Sequence, residues 1–448
     1  MKFQVPIHIL LVSFPAQGHI NPLLRLAKSL AAKGISVIFT TTAKAGKTMQ
    51  TANYVTIGDG SLSFQFFDDG LPDDESINLL AHCEEVELVG RKFVSQMIKN
   101  HADSNKPISC IINNSFFPWV SDVALEHDIP SALLWTNSSA VFTVCYNYVH
   151  KLVPFPTDEE PYIDVELPFL ALKYNEIPDF IHPFFPYPSL GKLISEPLRD
   201  LSKVFCVFVD TYEELEYDFI EYISENSIPI RPIGPLFINP AIKGATSIDD
   251  CETVEWLNRK PKGSVVYVSF GTVVNHTQEQ VHEIAYGILN SQVSFLWAIK
   301  QHEDLPNGFL EETCGIGKVV KWCSQEEVLA HPSVGCFITH CGWNSSMEAL
   351  ASGVPVLAFP VWGDQLTNAK FLVDVFGIGI RLGCDGKKLV KRDEVKKCLL
   401  EAMAGEKAEE LKQNGSKWKK TAENAVAAGG SSDRHIDAFI EDIKKLAC

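Results

Sequence analysis

Two histidines and a set of hydrogen-bonding side chains carry the chemistry legible in this chain. His340 stands between a short apolar, β-rich run, residues 334–339, and a stretch of helical composition, 344–352, closed by Gly353. Strand-to-helix turns are where open α/β sheets bind ligands. Ser345 and Glu348 have capping-box spacing, and free backbone N–H groups at a helix start, helped by the helix dipole, attract phosphate. A diphosphate is therefore expected at Asn344 and Ser345. His340 would add a hydrogen bond to it without adding permanent charge.

Trp322 offers a flat face for a uracil ring, and Gln325 suits the polar edge of that ring. Asp364 and Gln365 close the apolar run 354–362 with donors and acceptors that fit hexose hydroxyls, and equally with the chemistry of a helix cap. Far upstream, His19 follows the first apolar run. A histidine on a first strand-to-helix loop lies at the carboxyl edge of the sheet and can act as a general base near neutral pH.

Read together, Trp-Cys-Ser-Gln from 322, His-Cys-Gly-Trp-Asn-Ser-Ser-Met-Glu from 340 and Trp-Gly-Asp-Gln from 362 resemble the signature box of plant secondary-product glycosyltransferases that use uridine-diphosphate (UDP) sugars. Gly-His-Ile-Asn-Pro at 18–22 resembles that family's catalytic-histidine loop. The resemblance implies an α/β chain of the GT-B class, two doubly wound Rossmann-like domains facing across a cleft. The acceptor would bind the first domain and the donor the second. It implies that Trp322 stacks on uracil and Glu348 binds the ribose, a second role beside its capping spacing. His340, Asn344 and Ser345 would hold the phosphates, with Thr272 reaching a phosphate oxygen, while Trp343, Asp364 and Gln365 hold the sugar. Gln at the last position goes with glucose, so UDP-glucose is the expected donor, transferred with inversion, and His19 is the expected catalytic base.

One position departs from the family pattern. Where an Asp after the fourth strand usually orients the base, residues 113–119 read Asn-Asn-Ser-Phe-Phe-Pro-Trp, and Asn114 takes its place. An Asn oxygen can accept from the ring N–H and fix the tautomer, but it cannot neutralise an imidazolium. Weaker base catalysis favours acceptors that arrive ionised, such as carboxylic acids, over alcohols. Asp122, eight residues on, is expected at the surface. The stretches 154–157 and 177–183 also resemble the branch that makes glucose esters of phenolic acids. Ester formation, O-glucoside formation at a phenol and attack by an electron-rich ring carbon are the open alternatives. A UDP-sugar-binding protein that has lost catalysis is the alternative of another class.

These residues need a scaffold. Apolar runs at 7–14, 36–41, 63–69, 108–116, 131–137 and 204–210, the last closing the first domain, alternate with helical stretches at 82–100 and 118–126, an α/β pattern. Asn21 is expected to cap the first helix, with Pro22 in its first turn. Residues 154–188, rich in Pro and aromatics, read as a long functional loop or lid. Some of their rings, with Phe116, Phe117, Trp135 and Phe142, are expected to line an acceptor pocket collectively, core packing being the default for any one of them. The second domain opens at 264–272, followed by a helix capped by Thr277 with Gln280 as its box partner. The expected division is 1–240 for the acceptor domain, 241–252 for a linker, 253–430 for the donor domain and 431–448 for a helix bracing the first domain.

Composition narrows the remaining classes. A chain of 448 residues with 46% hydrophobic and 21% charged residues can bury two full cores. A formal charge of −17, with no Lys/Arg-rich run, opposes nucleic acid or an anionic membrane as partner. No run of 18 apolar residues and no signal-like N-terminus is present, and the twelve Cys form no Cys-x-x-Cys pair. A cytoplasmic monomer acting on a small phenolic or aromatic acceptor is expected. No metal is expected either, because a helix terminus would supply the positive potential. Neither Gly-x-Gly-x-x-Gly nor a Walker-type loop occurs, which removes the usual anchors of hydride transfer and ATP hydrolysis.

Overall fold

A computed structural model describes residues 6–49, 54–70, 79–238, 248–272, 274–300, 303–385 and 389–446. Contacts divide the chain into two units, Met1–Lys243 with Asn424–Cys448 and Gly244–Glu423.

In the first unit the apolar runs become strands β1 (His8–Val12), β2 (Ser36–Thr42), β3 (Tyr54–Ile57), β4 (Gly60–Phe67), β5 (Cys110–Asn114) and β6 (Ser131–Trp135), a hairpin of β7 (Val165–Leu167) and β8 (Leu170–Leu172), then β9 (Val207–Val209) and β10 (Ile230–Pro232). Eight of them form one sheet in the order β10-β9-β6-β5-β1-β2-β4-β3, parallel except for the β3–β4 pair. Strand β1 is buried throughout because both sheet faces are covered. Ile9 and Leu11 pack in one core with Leu23 and Leu26 of the helix Gln17–Ala32. Leu10 and Val12 pack in the other with Val94 and Val120 of Leu79–Asp103 and Trp119–Glu126. The last helix, Ser431–Leu446, belongs to this unit. Its Phe439 stacks on Phe205 at 5.7 Å and meets Phe208 edge-on at 4.8 Å.

The second unit holds β11 (Val265–Ser269), β12 (Ser294–Ala298), β13 (Gly317–Val320), β14 (Val334–Thr339), β15 (Val356–Ala358) and β16 (Gly379–Arg381), all parallel, in the order β13-β12-β11-β14-β15-β16. Val266 and Val268 pack under the helices Gln278–Ser291 and Arg392–Ala404.

Each sheet has one place where strand order reverses, between β1 and β5 in the first and between β11 and β14 in the second. Such reversal points are where open α/β sheets bind ligands.

Three local expectations are corrected. The first unit's sheet does not close at the 204–210 strand, since β10 follows, a three-residue edge strand whose Pro232 sits where a missing N–H costs no ladder bond. Residues 241–247 of the expected linker lie outside the described residues, and 248–252 are the opening of the helix Ile248–Asn258. Thr277 does cap its helix, accepting from the Gln280 N–H at 3.3 Å. The Gln280 side chain, however, pairs with Val390 backbone in both directions at 2.9 Å instead of closing a capping box. Among the described residues no helix is long and apolar enough to cross a membrane.

Candidate functional site

At the switch point of the first unit, β1 and β5 run side by side with Val12 opposite Asn113. The helix after β1 starts at Gln17, with Ala16 as its N-cap and no side-chain cap bond. Asn21 is therefore not the cap, and Pro22 lies inside the helix. His19 sits in the first helical turn, its N–H bonded to the Ala16 carbonyl at 2.9 Å. Phe14 and Phe116 meet its ring edge-on at 5.2 and 4.6 Å. Burial pushes the imidazole down to about 3.

Asn114 does not play the part expected of it. Its Oδ1 accepts from the Phe14 N–H at 2.9 Å, a buried strand-end donor with no ladder partner of its own. Its Nδ2 and the His19 Nδ1 are both buried without a partner. Asn113 is structural, donating to the Phe117 and Asn114 carbonyls at 2.9 and 3.2 Å and accepting from the Ser121 hydroxyl. Asp122 is only partly exposed and is held by Arg91 at 3.0 Å and Lys203 at 2.8 Å.

Most rings expected in an acceptor pocket are core. Phe117, Trp135 and Phe142 are fully buried, as are Phe155, Phe180 and Phe185 nearly so. Phe116, beside His19, keeps an accessible edge. Tyr162, Phe184 and Tyr187 face solvent from a stretch that carries the β7–β8 hairpin.

The second switch point assembles the other residues. Gly271, just past β11, has φ +66°, and a Cβ there would stand 2.7 Å from the His340 ring. A Cβ on Gly342 would stand 2.5 Å from the same ring, so only glycines fit on either side of it. Between His340 and Gly342, Cys341 adopts φ 65°, a left-handed conformation rare outside glycine and a mark of stored strain at functional turns. Its N–H bonds to the Thr339 hydroxyl at 3.2 Å. Burial pushes His340 down to about 3, aided by Lys300 and His276, and its Nδ1 has no partner.

The helix Trp343–Ser352 is capped by Gly342, so Ser345 is already its third residue and the Ser345/Glu348 capping box does not form. Both side chains turn instead to Gln325. Its Nε2 donates to the Ser345 hydroxyl at 2.8 Å and to Glu348 Oε2 at 2.6 Å, while its Oε1 accepts from Tyr267 at 3.3 Å. Trp322, 59% exposed, offers an open flat face nearby in sequence. Trp343 opens this helix and is only 3% exposed as a residue. Asn344 follows in the first helical turn, partly exposed. Thr272 is exposed, and its carbonyl accepts from Lys300 at 3.1 Å.

Asp364 stands at the N-cap of Gln365–Lys370 without capping it through its side chain, and accepts from Asn368 at 2.6 Å. Gln365 accepts from the Val361 and Trp362 N–H groups at 3.0 and 3.2 Å, which fixes its amide. Two residues escaped the sequence reading. Lys300, just beyond β12, donates to the Thr272 carbonyl and to Asn275 Oδ1 and brings a cation to this end of the sheet. His276 stacks on Phe359 at 5.0 Å and is pushed down to about 4 by burial. A Lys at the carboxyl end of a strand next to a switch point was the available signal for the first; for the second there was none. Among the described residues no group of three or more His, Cys, Asp or Glu could hold a metal ion.

A family profile described as UDP-glucuronosyl and UDP-glucosyl transferase matches residues 238–399, and one described as glycosyltransferase, N-terminal domain, matches residues 5–68. A limonoid UDP-glucosyltransferase from Citrus unshiu is 51% identical, covering 98% of this chain and 90% of its own. The chain belongs to the UDP-glycosyltransferase family. A gallate 1-beta-glucosyltransferase from Punica granatum is 52% identical, with 98% and 89% covered, and a cinnamate beta-D-glucosyltransferase from Fragaria ananassa 48%, with 98% and 83% covered. Among solved structures, Os79 from O. sativa in complex with UDP superposes with a TM-score of 0.84 at 26% identity, covering 97% of this chain and all of that one. This glycosyltransferase thus has the GT-B fold and uses a UDP-sugar donor.

Proposed function

We propose that this glycosyltransferase moves glucose from UDP-glucose, with inversion, to the carboxylate of a phenolic acid, giving a 1-O-β-glucose ester. The observation that carries this reading is Asn114. His19 has no carboxylate partner, and the Asn114 oxygen is already bonded to Phe14. An imidazole without such a partner is a poor base for a phenol or alcohol, whereas a carboxylic acid is ionised at pH 7 and brings its own nucleophile. Relatives about half identical that are named for gallate and cinnamate support the reading, and the one named for limonoids shows that identity at this level does not by itself fix the acceptor.

In this reading the first unit binds the acceptor and the second the donor. Trp322 stacks on uracil, and Gln325 holds Glu348 for the ribose hydroxyls. His340, Asn344, Ser345 and Thr272, with Lys300 close by, receive the diphosphate at the helix start, so no metal is needed. Asp364, Gln365 and Trp343 orient the glucose. One carboxylate oxygen attacks the anomeric carbon, the bond to the β-phosphate oxygen breaks, and the electron pair leaves with UDP.

Incubation with UDP-glucose and a panel of phenolic acids, flavonoids and polyphenols, read by mass spectrometry before and after mild alkali, tests the proposal. An alkali-labile monoglucosylated phenolic acid supports it. Products that survive alkali would mean transfer to phenol oxygen, and products that also survive acid would mean transfer to ring carbon.

A further inference from the structure

We propose that Tyr267 is a positioning residue of the donor site: its buried hydroxyl holds the Gln325 amide, and the amide in turn holds Glu348 and Ser345 for the nucleotide. The proposal rests on the reading of Glu348 as the ribose partner.

Strand β11 is buried throughout, and its side chains alternate between the two faces of the sheet. Val266 and Val268 fill the face under the helices Gln278–Ser291 and Arg392–Ala404. Tyr267 takes the other face, where its ring stacks on Phe337, its register partner on β14, at 5.0 Å and 23°. The residue is 1% exposed. A Phe would stack there as well, so packing does not account for the hydroxyl, a group that is costly to bury without a partner. The hydroxyl finds two partners in the candidate donor site, Gln325 Oε1 at 3.3 Å and, next to Trp322, Cys323 Sγ at 3.6 Å.

The directions of these bonds follow from the groups that make them. As a carboxylate Glu348 only accepts, so the Gln325 NH2 must face it, with Nε2 standing 2.6 Å from Oε2. The same nitrogen donates to the Ser345 hydroxyl at 2.8 Å. The amide oxygen is thereby turned to Tyr267, and the phenol must donate to it. Turning the amide over would set its oxygen against the Glu348 carboxylate. Because the Ser345 oxygen accepts from the amide, its own hydrogen is left for another acceptor, the diphosphate in this reading. One buried hydroxyl thus fixes one amide, and the amide presents an acceptor to the ribose and a donor to the phosphate. With Phe at 267 the amide oxygen loses this donor, and the side chain can turn away from Glu348 and Ser345.

Calorimetric Kd values for UDP and 2′-deoxyuridine diphosphate on the full-length enzyme test the proposal, because only UDP offers the 2′-hydroxyl to Glu348. Tyr267→Phe keeps the ring and its stack, and a urea midpoint checks that the fold is kept. UDP is expected to bind roughly 3- to 10-fold more weakly to this variant, and the preference for UDP over the deoxy compound to shrink by a similar factor. Gln325→Ala, which leaves the core ring untouched, is expected to lose the same preference. In that background Tyr267→Phe is expected to cost no further UDP affinity. In assays of Tyr267→Phe the KM for UDP-glucose is expected to rise more than kcat falls. A Tyr267→Phe enzyme that loses stability but keeps the full preference overturns the proposal. So does a Gln325→Ala enzyme that keeps it, or a fully additive cost of the two changes. A wild-type enzyme that binds both nucleotides equally refutes the ribose reading of Glu348 instead, with additivity in UDP affinity still deciding whether Tyr267 acts through Gln325.

Discussion

His340 and Gly271 share one space: a Cβ on Gly271 would stand 2.7 Å from the His340 ring, on a backbone already at φ +66°. Gly271→Ala is therefore expected to cost about 1–2 kcal/mol of stability from the left-handed backbone alone, and to push the imidazole off its position. UDP affinity, measured by calorimetry, should fall at least tenfold. Unchanged affinity would mean that the His340 ring does not contact the donor.

Trp322 separates binding from folding. Its indole is 59% exposed, so Trp322→Ala should change stability by less than about 0.5 kcal/mol. Stacking on a base is worth about 1–3 kcal/mol, so UDP should bind roughly 5- to 150-fold more weakly. Equal UDP binding by variant and wild type would remove Trp322 from the donor site.

Gln325 and Glu348 are coupled through a 2.6 Å bond inside a partly buried network. Either single truncation removes that bond, worth about 1–3 kcal/mol for a charged acceptor. In a double-mutant cycle, Gln325→Ala and Glu348→Ala should therefore be non-additive, with the double variant losing less UDP affinity than the two singles combined. Strict additivity would show that Gln325 does not position Glu348.

The buried histidines make stability depend on pH. His19 and His340 are held to about 3 and His276 to about 4, below the unfolded value near 6.5. Below pH 6.5 the unfolded chain takes up protons that the folded one refuses, so their contribution is complete above pH 6.5 and is lost as pH falls toward 4 for His276 and toward 3 for His19 and His340. Each adds a slope of up to about 1.4 kcal/mol per pH unit. Glu216 and Asp210, raised by burial, act in the opposite sense, so the difference between wild type and His340→Gln isolates one term. Urea midpoints at pH 7 and pH 5 should differ less in the variant. An equal difference would mean that His340 is protonated in the folded enzyme.

Part of the candidate site in the second unit was legible because Gln325, Ser345 and Glu348 lie within a short span of chain and meet in the fold. Helix starts were not. Asn21-Pro22 and Ser345/Glu348 both imitate capping signals, while the true caps, Ala16 and Gly342, make no side-chain bond and leave no mark in the sequence. The exchange of Asn for Asp at 114 could be read, but not its consequence, because the Phe14 N–H that claims the oxygen comes from a strand 100 residues away. Lys300 and His276 reach the site only through sheet order, and the sequence did not say which aromatics would be core, as Trp135 and Phe142 are, because an aromatic looks the same in a core as in a pocket.

The most direct test of the ester reading is the linkage itself. Wild-type enzyme, UDP-glucose and a phenolic acid labelled with 13C at the carboxyl carbon should give a product whose anomeric proton correlates with that carbon and shows the large coupling of a β-glucoside. A correlation to a phenolic ring carbon, with the carboxyl unchanged, would contradict the account.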